Sequence, residues 1–475
     1  MHLHKHPQTG IFASALILAA LIYSCAGGPA VKPETKPASP SAPSPKIEAV
    51  NSAESLLKAG DAQGAALALG KLADANPDDP EMRRLEASAL VSAGKMPEAR
   101  AVLDGILAKK PDDVSSLTMA AEIARFQNDA AGRKDYLGRA KTAAPDKASV
   151  LVAWGEYYLD LHDWPSAKDS YSKASLADPG NPDAFKGLGQ ALYRLEKYDD
   201  AEKALDTALT LDPEDAYTWS DRSKVRYQLG HYAEAEADLG QAIARATNAA
   251  WPYIDRARFR MDTNHFADAE TDLDAAIKAE PGYFLPYLYR ASIYVKTGKD
   301  AEALADYDKV VQLEPAYWYA YESAGLCAFR LGRWSDAGLR FRKAFESAPT
   351  RADYAVLGAI SLLRAGDMNG GRSLAGKAAS RLDRDTEQSR WLILRLLQDL
   401  NDLTSDLENR IQSEPKLDIR AEMLFSLGEY WIIRGKPDLG AKYLGLAHDM
   451  NRQSALQYSL IASELLRSGG AQASH

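Results

Sequence analysis

The chain has 475 residues, 46% of them hydrophobic and 26% charged, enough for several domains or one extended array with a large buried core. Its net charge of -9 and pI near 5.5 exclude a protein built to neutralise phosphates, whose footprint is basic and clustered, so nucleic acid is not expected as a partner. Two cysteines, Cys25 and Cys327, cannot supply a framework of disulfide staples.

The N-terminal segment differs in kind from the rest. Behind His2, His4, Lys5 and His6 runs a thirteen-residue apolar stretch, residues 11–23, too short to span a bilayer comfortably and of the right length for a signal-peptide core. The sequence IYSCAGG around Cys25 follows. It resembles the lipobox of bacterial lipoproteins, although Tyr23 departs from the small or aliphatic residue which that pattern prefers. The resemblance implies a signal peptide over residues 1–24 and lipid attachment at Cys25; acyl chains (palmitate or similar) at about 0.8 kcal/mol per buried CH₂ would tether the chain to a membrane. Residues 25–45 carry prolines at 29, 33, 37, 40, 43 and 45. Such a segment favours extended polyproline II and reads as a disordered spacer of roughly 60 Å, at about 3.1 Å per residue.

From residue 46 the chain repeats itself. Prolines at 77, 111, 145, 179, 213, 281, 315 and 349 are spaced by 34 residues, or by twice 34 across Thr247. In the stretch that starts at Pro182, Phe185, Leu188, Gly189, Leu192, Ala201, Leu205, Ala208 and Pro213 fall at the signature positions of a 34-residue helical repeat. The chain thus resembles a tetratricopeptide-repeat array over most of its length. That resemblance implies an all-α fold: a right-handed superhelical α-solenoid of about twelve helix–turn–helix units with a C-terminal capping helix.

Ten units in register start at 46, 80, 114, 148, 182, 216, 250, 284, 318 and 352, covering residues 46–385. Each must be two antiparallel helices, and where they cross, close approach demands small residues. Position 8 is Ala, Gly or Ser in all ten units, and position 20 is Ala or Gly in all but one, where Arg133 stands. Position 15 must stop the first helix with a left-handed residue, which Gly or Asn supplies in eight units. His162 and Glu196 occupy it in the other two, whose turns are expected to close differently. The register then slips. Residues 386–420 read as a degenerate helical unit, 421–454 as a further repeat, 455–467 as a helix capping that repeat, and 468–475 as a disordered tail.

Charges recur with the repeat as well. Arg222, Arg256 and Arg290 occupy position 7 of three successive units, and the same units alone carry Asp238, Asp272 and Asp306 at position 23. Pairs of this kind would join the two helices of each unit, as structural ion pairs. Chemistry-bearing motifs are missing. GRSLAGKA, residues 371–378, nearly matches a phosphate-binding loop, but Ala378 replaces the hydroxyl residue and the stretch falls inside a second helix. His231 and His265 stand alone at turn positions, and no HExxH or GxSxG occurs. An enzyme, a metal site and a cofactor are therefore not expected.

At 100° per residue, positions 4, 8 and 11 of a first helix face its partner helix, while positions 2, 5, 6, 9, 12 and 13 lie on the other side. In tetratricopeptide proteins that other side lines a concave groove where extended or helical peptides bind. Carried over, the partner-binding groove offers Tyr217, Lys224 and Tyr227, then Trp251 and Arg258, then Tyr289 and Lys296, and last Tyr319, Phe329 and Arg330. Aromatic residues with Arg are the composition of binding hot spots. Within AYWYAYESAG, residues 316–325, the register assigns Tyr321 to the core, Tyr319 to the groove, and Tyr317 and Trp318 to the junction between units. The function implied is a lipid-anchored scaffold of the bacterial envelope, at the outer membrane, that holds a partner protein or peptide. The alternative is a surface-exposed adhesin that meets a host-cell surface component.

Overall fold

The structure, a computed structural model, describes residues 45–246, 248–400, 403–453 and 456–468. The signal peptide, Cys25 and nearly all of the proline-rich spacer lie outside these residues, as do residues 469–475 of the tail. Twenty-five α-helices are the regular elements of the described residues, and none of them is long and apolar enough to cross a membrane.

Local chemistry starts and stops them. First helices begin behind Asp79, Asp113, Asn181 and Asp215, whose side chains accept backbone N–H groups of the first turn, and Pro80 and Pro182 preset the helical φ just inside. Second helices begin in the same way behind Asp61, Asp129, Asp163 and Asp367. Between the two, position 15 is left-handed in all ten units, with φ between +57° and +84°. The His162 and Glu196 turns are no exception, at +60° and +59°. His162 donates its N–H to Leu159 and Asp163 to Tyr158, and Glu196 and Lys197 repeat this with Tyr193 and Leu192, as the glycine-bearing turns do. The paired hydrogen bonds of the helix end and the packing of both helices impose the geometry, and a non-glycine residue there carries the strain.

The small positions are where the helices touch. All ten residues at position 8 are buried, and a Cβ on Gly155 or Gly189 would come within 2.6 Å of Tyr171 or Leu205. Arg133 is buried too: its guanidinium leaves the crossing point, bonds Asp160 of the next unit at 2.8 Å and lies over the Tyr157 ring.

The helices pack into two bodies, one ending at Asp238 and one beginning at Leu239. In the first, small apolar clusters follow one another along the chain, such as Ala53 to Ala89 and Ala87 to Val150. In the second, one large cluster runs from Tyr287 to Ile461.

Behind the tenth pair come helices Gln388–Asp399, Thr404–Ser413, Leu417–Ile433, Pro437–Asp449 and Tyr458–Arg467. The last does more than cap the stack. It packs against Tyr319–Arg330, and Leu417–Ile433 packs against Ala352–Arg364. Residues 352–363 and 421–430 are consequently buried on every side. The last helix also packs on Pro437–Asp449, where a terminal cap is expected, and the long-range contacts come in addition, covering the first helices of the units starting at 318 and 352.

Candidate partner-binding face

The three periodic arginines make two-pronged bonds. Arg256 donates from Nε and Nη2 to Asp272 at 3.0 and 2.6 Å; Arg222 does so to Asp238 at 2.9 and 2.7 Å and Arg290 to Asp306 at 2.8 and 2.7 Å. All three aspartates are buried. Asp238 and Asp272 each receive a second guanidinium, from Arg226 and Arg260, one turn further along the first helix. Arg222 and Arg290 also reach back to the preceding unit, to Asp206 at 2.7 Å and Asp274 at 2.5 Å. These residues tie helices together within and between units.

On the first body, the groove positions of the unit starting at 216 are polar. Lys224 is exposed and lies 2.9 Å from Asp221, which also accepts from Gln190 at 2.6 Å. Burial opposes a charge on Asp221, yet Lys224 and the Gln190 amide outweigh it and hold the carboxyl below the usual carboxylate range. Tyr217 and Tyr227 are half-buried, the latter edge-on to Tyr232 at 5.4 Å.

On the second body the face is aromatic. Trp251 is half-buried, and half-exposed Arg258 lies 5.9 Å from the ring of Tyr289. Lys296 is exposed and leans over Phe266 at 4.5 Å. The rings of Phe284, Tyr317, Tyr319, Trp318 and Tyr354 form a row with neighbouring centroids 5.5, 5.9, 3.7 and 6.0 Å apart. Tyr319 is the exposed one, at 48%, stacked on Trp318. Tyr317 and Trp318 are half-buried, as is Tyr321. Burial raises the Tyr317 hydroxyl above its ordinary range, and Tyr289 and Tyr319 add to it.

Tyr283 and Trp318 stand at the N-caps of helices Phe284–Lys296 and Tyr319–Arg330, and neither makes a side-chain cap bond; the same holds for Lys147, Ala250 and Arg351, whereas Asp79, Asp113, Asn181 and Asp215 do cap their helices.

Two groove candidates are corrected. Phe329 is fully buried, edge-on to Trp334 at 4.9 Å and 6.2 Å from Phe425, because the C-terminal helices cover it. Arg330 is turned to Asp300 of the preceding unit by bonds of 2.6 to 3.0 Å. Cys327 beside it is buried, and burial pushes its thiol up to about 12, far from a reactive thiolate. No cluster of three metal-ligating side chains occurs among the described residues.

Two family models, both described as tetratricopeptide repeat, match the chain, one at residues 152–216, 254–320 and 288–352 and the other at 56–123. Over these residues the chain is built of tetratricopeptide repeats. Comparison with curated proteins gives no match. Among solved structures the chain is similar to a tetratricopeptide repeat protein from Parabacteroides merdae, with 16% identity and a TM-score of 0.40 over 52% of this chain and 98% of that one. It is also similar to pilF of Pseudomonas aeruginosa, with 17% identity and a TM-score of 0.37 over 42% and 92%. For the first tetratricopeptide domain of Spaghetti, bound to an HSP90 peptide, the values are 26% and 0.24 over 25% of this chain and 94% of that one.

Register alone missed Tyr283 and the full extent of the ring row in this tetratricopeptide array. The signal was present, as an aromatic residue just before the first helix in two successive units, at Tyr283 and Tyr317. What it lacked was the direction of each ring.

Proposed function

We propose that this tetratricopeptide-repeat protein is an interaction scaffold that holds a segment of a partner protein on the aromatic face around Tyr319. The observation that carries the reading is the exposed Tyr319 ring backed by Trp318, in a row of five rings. A rigid, half-desolvated aromatic ring is a side chain on which binding energy concentrates, and exposed Arg258, over the Tyr289 ring, adds the cation that such sites favour. Capture of envelope proteins by the chain, compared with capture by the Tyr319→Ala, Arg258→Ala variant, tests it. Partners lost with those two side chains support the face; partners held unchanged place binding elsewhere.

The same proposal includes a lipid anchor at Cys25 in a bacterial envelope, supported by IYSCAGG and the proline-rich spacer behind it. Cys25→Ser should then move the protein from the membrane to the soluble fraction. Digestion of the repeats by protease added to intact cells would instead favour the adhesin, displayed outward; protection favours the periplasmic scaffold.

A further inference from the structure

The last helix, Tyr458–Arg467, is held on the inner side of the units starting at 318 and 352 by apolar residues and by an ionic centre. Leu460 and Ile461 join the core cluster that contains Phe329, Leu363 and Phe425. Arg467 donates to the carbonyl oxygens of Phe329, at 3.1 Å, and of Arg330. Next to these lie two buried carboxyl groups, Glu429 from Leu417–Ile433 and Glu464 from the last helix, at 0% and 1% exposure. They converge on one nitrogen: Arg364 Nη1 donates to Glu429 at 2.7 Å and to Glu464 at 3.0 Å. Arg467 also bonds Glu464, and the guanidiniums of Arg364 and Arg467 lie 4.1 and 5.0 Å from the Trp334 ring. The second oxygen of Glu429 is buried without a hydrogen-bond partner.

A permanent cover would be better made from apolar side chains, since replacing a buried ion pair by them is commonly neutral or stabilising. A ten-residue helix cannot persist by itself in water, so this one is ordered only while it is docked. We propose that Tyr458–Arg467 is a releasable latch over the inner side of units 318 and 352, and that the carboxyl pair Glu429 and Glu464 is its trigger. With Glu429 protonated, its unpartnered oxygen carries no full charge, and Glu464 keeps its bonds to Arg364 and Arg467. When Glu429 ionises, the two guanidiniums match the two carboxylates in number, but one charged oxygen has no donor in a dry site and the other shares a single nitrogen with Glu464, and the helix leaves.

The charged groups around Glu429 are Glu464 and Arg467 from the last helix and Arg364 from Ala352–Arg364; Tyr319–Arg330 contributes carbonyl oxygens. Burial, then the Glu464 carboxylate, push Glu429 up to about 8, against the attraction of Arg364. The closed state therefore holds a proton that the open state releases near the ordinary carboxylate range. Closure is fully favoured at acid pH, weakens as pH rises above that range, and is weakest beyond about 8. Opening would bare Phe329 and Phe425, which, on the scaffold reading above, adds a second apolar stretch to the aromatic face.

Hydrogen exchange of the full chain at pH 6 and pH 9, corrected for intrinsic rates, tests the latch without any partner, so its outcome is separate from that of the scaffold reading. Protection of residues 458–467 should fall by about tenfold or more between the two pH values, with helix Ala62–Ala75 unchanged. Glu429→Gln, which cannot ionise, should keep the helix protected at pH 9. Protection that is equal at both pH values in the native chain, or a Glu429→Gln variant that follows the native pH dependence, overturns the proposal. Should that variant not fold, Glu464→Gln serves, because a pH dependence kept without the second carboxyl overturns it equally.

Discussion

Removal of Asp272 probes the ion-pair ladder most directly. Its carboxylate is 2% exposed and accepts from Arg256 at 3.0 and 2.6 Å and from Arg260 at 2.8 Å. Breaking a buried pair by deleting one partner costs roughly 3 to 5 kcal/mol, because the other charge stays behind in a poorly solvated place. Here the two guanidiniums keep 23% and 18% exposure and can be partly rehydrated. The expected cost of Asp272→Ala is accordingly about 3 kcal/mol, at the low end of that range. Repeat arrays do not unfold in one step, so the assay is amide exchange in helix Phe266–Ala279 and its neighbours, read locally. A loss of about 3 kcal/mol is about a hundredfold in protection at each amide that exchanges by local opening. Asp306→Ala should lose less, about 2 kcal/mol, because Asp306 accepts from Arg290 alone among the bonds described and Arg290 keeps Asp274 at 2.5 Å. Replacing Arg256, Arg260 and Asp272 together by apolar residues of similar volume should recover most of the loss. Protection that changes by less than threefold in Asp272→Ala would refute the reasoning, since the pair would then contribute no more than an exposed one.

Glu196 is exposed and left-handed, so Glu196→Gly should stabilise its turn by about 0.5 to 1 kcal/mol, net of the greater freedom glycine has when unfolded, as a higher denaturant midpoint would show. Gly187→Ala should destabilise by about 1 to 3 kcal/mol, because the new Cβ would lie 2.2 Å from the Tyr171 ring and the ring has to move; a thermal melt measures it. Tyr319→Ala should leave the melt within about 0.5 kcal/mol, its side chain being half exposed, while weakening partner binding by about tenfold or more in a titration.

Much of the fold is written locally. The 34-residue spacing of prolines, small residues at positions 8 and 20 and a turn residue at 15 each express a requirement met inside one unit. For that reason the helix pairs could be placed before any coordinates. The pairing of position 7 with position 23 is legible for the same reason: both residues belong to one unit and recur together. His162 and Glu196 show the limit of residue type as a guide, since packing on both sides holds their backbone where glycine would sit. Arg133 shows it again, buried at a small-residue position because Asp160 of the next unit takes its charge.

The candidate face was legible only in part. Helical periodicity says on which side of a first helix Tyr319, Phe329 and Arg330 stand, and the three share that side. It does not say what else arrives there. Arg467 reaches Phe329 across 138 residues of sequence, and Phe425 meets the same ring, so one groove position becomes core while Tyr319 stays exposed. The sequence by itself determined the repeat, the helix pairs and the ties within them, because each depends on neighbours a few turns apart. Only the tertiary structure decided which part of the inner face stays open, because that depends on where the last five helices come to rest, and no short-range pattern carries it.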